Sequence, residues 1–107
     1  MPRQTPFELI FAPEALEHLG FIEPKYHGLI RETINKQLCH QPEVATRNRK
    51  PLEQPAPFGA TWELRLGPQN RFRIFYETEV ELRTVWVLAI GEKESNRLLF
   101  CGVEFQP

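Results

Sequence analysis

A chain of 107 residues with 41% hydrophobic and 25% charged residues has the size and make-up of a single soluble domain, 1–107, with enough apolar material for its own core. A net charge of −1 argues against a generally cationic nucleic-acid binder. No apolar run approaches the roughly 18 residues of a membrane span, so no membrane role and a cytoplasmic location are expected. Its two cysteines, Cys39 and Cys101, make neither a disulfide framework nor a metal-ligand set, and no metal or other cofactor is expected.

After a loose lead-in at Met1–Pro6, the run FELIF (Phe7–Phe11) reads as a strand that stops at Ala12-Pro13. Pro13 suits the first turn of a helix, where its missing N–H is no loss, and Gly20 is the expected stop. A second helix is expected from Pro24. Tyr26, Leu29, Ile30, Thr33, Ile34 and Leu38 fall on one face of it, Arg31, Glu32, Asn35 and Lys36 lie outside, and Pro42 marks its end. From Gln41 to Ala60 no periodicity survives, and Pro42, Pro51, Pro55, Pro57 and Gly59 predict an irregular connection. Loops this long in small domains are more often functional than idle. This one carries the densest basic run, Thr46-Arg47-Asn48-Arg49-Lys50.

Three strands follow: TWELRLG, NRFRIFYE and RTVWVLAIG. Trp62, Leu64 and Leu66 alternate with Glu63 and Arg65, and Phe72, Ile74 and Tyr76 alternate with Arg71, Arg73, Phe75 and Glu77. The third strand sets Val85, Val87 and Ala89 against Trp86, Leu88 and Ile90, apolar on both sides as in a central strand. One sheet face is therefore expected to form the core under the helices and the other to stay open, carrying arginines. Arg97–Cys101 is expected as an edge strand or extended tail. Helices on one side of a three- to four-stranded, mainly antiparallel sheet make the fold class α+β. The neutral total also hides a local asymmetry: Arg47, Arg49, Lys50, Arg65, Arg71 and Arg73 face only Glu53 and Glu63 between positions 47 and 73.

The β-α-α-β-β-β order, Pro13-Glu14-Ala15, TRNRKPL, WELRLG, NRFRIFYE and VWVLAIGEKE together resemble the RelE/ParE superfamily of toxins over almost the whole chain. The resemblance implies a toxin of a toxin–antitoxin pair, with a protein antitoxin as partner in a hetero-oligomer. For RelE-like members it also implies a ribosome-dependent cut in mRNA that uses no metal. Carried over residue by residue, it puts Arg65, Arg73 and Lys93 in the catalytic set, and Arg47, Arg49, Lys50 and Arg71 against RNA. Guanidinium groups suit this role, because their planar fork matches two phosphate oxygens and never loses its charge. Where many RelE-like nucleases place a Tyr or His near the C-terminus, this chain reads Leu98-Leu99-Phe100. His18, His27 and His40 read as structural or surface residues, Tyr76 as core, and Glu92 and Glu94 as acceptors beside Lys93. A non-catalytic module, either a gyrase-directed ParE-like toxin or a chain that only engages its antitoxin, therefore stands as the alternative.

Overall fold

The computed structural model describes residues 5–106, so residues 1–4 of the expected lead-in lie outside it. Strand β1 (Glu8–Phe11) leads through Pro13 directly into helix α1 (Pro13–Phe21), which runs one residue past Gly20. A single 3-10 turn at Pro24–Tyr26 opens helix α2 (His27–Leu38). Its start is fixed from outside, where His27 Nε2 donates to the Ile22 carbonyl at 2.7 Å. The helix stops at Leu38, short of Pro42, and Leu29 lies exposed at the margin of the apolar face, whose buried members are Ile30, Ile34 and Leu38.

The stretch expected to be wholly irregular contains a short strand, β2 (Arg49–Pro51), paired antiparallel with β3 (Trp62–Leu66). Pro51 is tolerated there because β2 forms an edge of the sheet, where its missing N–H breaks no ladder. Strands β4 (Phe72–Glu79), β5 (Thr84–Glu94), β6 (Arg97–Phe100) and β7 (Val103–Glu104) complete a seven-stranded sheet, larger than the three or four strands expected. β6 is not the edge: it pairs with β5 on one side and with the two-residue β7 on the other.

β5 is the centre of the sheet. One of its edges pairs with β4 along nearly its whole length, and the other is divided between β1, parallel over 84–87, and β6, antiparallel over 92–94. Between those two partners the chain bulges: Phe75 pairs with Ala89 but Tyr76 with Val87, leaving Leu88 as the extra residue. The bulge reverses the alternation expected for this strand. Val85, Val87 and Ile90 join the helix-side core, while Ala89 turns to the opposite face.

The helix-side core holds Ala15, Leu19, Ile30, Ile34 and Leu38 against Leu64, Leu66, Phe72, Ile74 and Tyr76, as the alternation in β3 and β4 predicts. Each fully buried large side chain of this set contributes about 1.5–3 kcal/mol of transfer free energy. The far face is not left open. Ala60, Phe75, Ala89 and Phe100 form a second, smaller apolar cluster there, bordered by Leu52, Leu88, Leu98 and Phe105. It adjoins the arginines, since Phe75 follows Arg73 by two residues on β4 and Leu98 and Phe100 reach the Gly91 position opposite Arg73.

His18 joins the bulge to the first helix. In the gap between β1 and β6 the Ile90 N–H has no strand partner and donates to His18 Nδ1 at 3.1 Å. Phe58 and Phe100 pack on the ring, at centroid distances of 5.4 and 5.1 Å. Burial lowers the His18 pKa below its ordinary value near 6.5, and Glu17 and Glu14 oppose this in part. An acceptor at Nδ1 requires the neutral ring, so geometry and desolvation agree. As pH falls below about 6.5 the unfolded chain gains a proton at this residue before the folded chain does, so stability present above that pH is lost on acidification. The melting temperature is expected to drop between pH 7.5 and 5.5, and His18→Asn, which keeps an acceptor in place of Nδ1, should reduce that drop. An unchanged pH dependence in His18→Asn would remove His18 as its source.

Candidate nucleic-acid interface

Antiparallel pairing places Arg65 directly opposite Arg73, both on the face away from the helices. Like charges facing each other across a ladder destabilise it, so this pair needs a reason and a counterion. The counterion is Glu63, two residues before Arg65 on the same face and itself buried. Its Oε1 lies 2.7 Å from Arg65 Nε and 3.6 Å from Arg73 Nη1. Arg73 Nε also donates to the Asn70 carbonyl at 3.1 Å, which fixes the plane of the guanidinium. Burial, followed by the adjacent Arg65 charge, pulls the Arg73 pKa down, while Glu63 opposes the shift. The group stays charged, being a guanidinium. Two cations thus share one carboxylate oxygen in a partly desolvated row, an arrangement that a bound anion would relieve.

The row extends at both ends. Lys50 on β2 lies opposite Glu63, on the same face and exposed. Arg73 lies opposite Gly91 on β5, and Lys93 comes two residues later on that same face. Gly91 lets two side chains of β6 lean across it, for a Cβ there would stand 2.9 Å from Leu98 Cδ1 and 3.0 Å from Phe100 Cε1. Arg47 is exposed in the loop before β2, and that loop is tied to the row by the Arg65 N–H, which donates to the Asn48 carbonyl at 2.8 Å.

Two of the expected RNA contacts are engaged elsewhere. Arg49 lies opposite Leu64, so alternation turns it toward the helices. It is 8% exposed, its Nε donates to the Val44 carbonyl at 3.1 Å, and its Nη1 donates to the Gln37 carbonyl at the end of α2. Arg49 is a clasp between helix and loop. Arg71 precedes β4 with helical backbone angles (φ −61°, ψ −34°), which breaks the alternation that would have grouped it with Arg73. Its guanidinium lies over Tyr26 and Phe72 and pairs with Glu92, with Nη2 to Oε2 at 2.9 Å. The hydrogen bond to Glu92 raises its pKa, and the same bond takes Glu92 away from Lys93 as an acceptor.

Sequence reasoning placed Glu63 on the face of Arg65 but gave it no role in the site. The signal was present in WELR, where a carboxylate two residues before an arginine on a strand must share its face. The two tyrosines stand on the other side of the sheet. Tyr76 is in the core with its hydroxyl donating to the Pro42 carbonyl at 2.7 Å, and burial pushes its pKa up. Tyr26 packs against Phe72.

No protein-family model matches the chain, and no curated protein matches its sequence. Solved structures do. The toxin–antitoxin complex RelBE2 from Mycobacterium tuberculosis superposes with a TM-score of 0.69 at 22% identity, over 87% of this chain and 98% of that one. The isolated RelE toxin of E. coli gives a TM-score of 0.59 at 18% identity, over 82% of this chain and 85% of that one. The fold is therefore the RelE-like α+β fold expected from the sequence.

Proposed function

We propose that this chain is the toxin of a toxin–antitoxin pair and cleaves mRNA on the ribosome by metal-independent attack of a ribose 2′-hydroxyl on the adjacent phosphate. The observation that carries this reading is the Arg65–Arg73 pair held on Glu63. In this reaction a 2′-O–P bond forms, the P–O5′ bond breaks, and the products are a 2′,3′-cyclic phosphate and a 5′-hydroxyl end. The 2′-hydroxyl gives up a proton and the leaving oxygen takes one. The two guanidiniums stabilise the extra negative charge of the pentacoordinate state, and Lys93 supports them from the next row. Glu63 serves as the strut that keeps the forks side by side, while Lys50 and Arg47 steer the RNA backbone and ribosomal RNA. A protein antitoxin is the cognate partner.

The alternative is a binding module that acts on gyrase or only engages its antitoxin. It is favoured by the position of Leu98 and Phe100 over Gly91: among the described residues, neither an imidazole nor a phenol stands beside the arginine row. Acid–base help is typically worth about 10²–10⁴-fold, so cleavage without it would be slow but not absent. Inducing the chain alone in bacteria and pulse-labelling protein and DNA separates the two readings. The nuclease reading expects protein synthesis to stop first and co-expressed antitoxin to restore growth. Early loss of DNA synthesis would support the gyrase reading instead. Glu63→Gln is expected to lower cleavage on the order of 10-fold to 100-fold through loss of alignment. RNA affinity should not weaken, because a negative charge has been removed. Weaker binding with an unchanged catalytic rate would reject the strut.

A further inference from the structure

An open groove of about 540 Å³ adjoins the arginine row, within the size range of about 300–1,000 Å³ common for ligand sites. The turn from β3 to β4 supplies one wall, with Pro68, Gln69 and Arg71, and the turn from β5 to β6 supplies the other, with Lys93, Glu94 and Ser95. The two walls are joined where the Lys93 N–H donates to the Arg71 carbonyl at 2.8 Å. The groove starts where the phosphate clamp ends, since Arg73 Nε donates to Asn70, the neighbour of Gln69. Gln69 and Ser95 both hold left-handed backbone angles (φ 55° each), as the tight turns joining β3 to β4 and β5 to β6 require.

The charges in the groove select among ligands. Arg71 is already neutralised by Glu92. Lys93 and Glu94 both line the groove and form no ion pair among the described residues, so an ammonium and a carboxylate are available at its rim. A bare phosphate would be repelled by Glu94, and a simple cation by Lys93. A nucleotide satisfies both, with its phosphate on Lys93 and an exocyclic amino group donating to Glu94, while the Gln69 amide offers a donor and an acceptor to the same base edge.

We infer that this groove seats the nucleotide next to the clamped phosphate and prefers a base with an exocyclic amino group, as in adenine, cytosine or guanine, over uracil. The inference rests on the reading of the arginine row as a phosphate clamp and adds sequence preference to it. Fluorescence anisotropy with labelled RNA hexamers of adenylate, cytidylate and uridylate tests it on the intact chain. Wild type should bind the better of the first two about tenfold more tightly than the uridylate hexamer, the discrimination expected of one good base-edge contact. Gln69→Ala/Glu94→Ala should remove most of that difference while circular dichroism stays unchanged. A wild type indifferent to base, or a preference that survives in the double variant, overturns the groove and leaves the clamp standing. Equal binding by wild type and Arg73→Ala would overturn the clamp, and the groove with it.

Discussion

Arg73→Ala is expected to abolish mRNA cleavage and toxicity, with a loss of about 10²–10³ in rate, the usual cost of one preorganised charge contact in a catalytic site. The side chain is only 13% exposed, so its guanidinium is largely desolvated before any RNA arrives. It is also held at two points, by Asn70 and by Glu63, so in the proposed reaction it would meet the phosphate already oriented. Removing it leaves Glu63 still paired with Arg65 at 2.7 Å and relieves the repulsion between the two arginines. The domain should therefore stay folded and still bind its antitoxin. Arg73→Lys should recover only part of the activity, because a point charge cannot hold two oxygens in one plane. Primer extension on programmed ribosomes, with circular dichroism as the folding control, measures both variants.

Arg49→Ala is expected to act on stability. Its guanidinium ties the Gln37 carbonyl at the end of α2 to the Val44 carbonyl in the loop and is almost fully buried. Hydrogen bonds from a charged donor are worth about 1.5–3 kcal/mol each, and deletion leaves two carbonyls short of a partner, so a total near 3 kcal/mol is expected. For a domain of this size that corresponds to a fall in melting temperature of roughly 10–20 °C. Lys50→Ala, one residue later on the opposite face, should leave the melting temperature within a few degrees and weaken RNA binding instead. Loss of RNA binding by Arg49→Ala with an unchanged melting temperature would return Arg49 to the RNA contacts.

What was legible in the sequence depended on period and parity. Alternation in β3 and β4 gave the core set Leu64, Leu66, Phe72, Ile74 and Tyr76 and put Arg65 and Arg73 on the other face, while their direct pairing depends on a register that alternation does not specify. Parity failed wherever one residue broke the period. Leu88, the extra residue of the bulge, carried Ala89 and Ile90 to faces that simple alternation does not predict. Arg71, in a helical conformation before its strand, left the group to which its spacing assigned it. β2 was hidden because three residues containing a proline carry no periodic signal, and without it nothing distinguished the buried Arg49 from the exposed Lys50. The second apolar cluster was missed for a different reason: its members come from β4, β5, β6 and the loop, and no local pattern connects them. Alternation had already put Glu63 on the arginine face, and what it could not show was that one carboxylate oxygen serves both Arg65 and Arg73.

The central claim is that the Arg65–Arg73 row drives attack of a 2′-hydroxyl on the neighbouring phosphate. Its most direct test is the chemistry of the cut ends. The purified chain is incubated with programmed ribosomes, and the mRNA fragments are analysed by mass spectrometry. Fragments ending in a 2′,3′-cyclic phosphate and starting with a 5′-hydroxyl, produced by wild type and lost in folded Arg73→Ala, are the predicted result. Ends carrying a 3′-hydroxyl and a 5′-phosphate, or equal cleavage by Arg73→Ala, would contradict it.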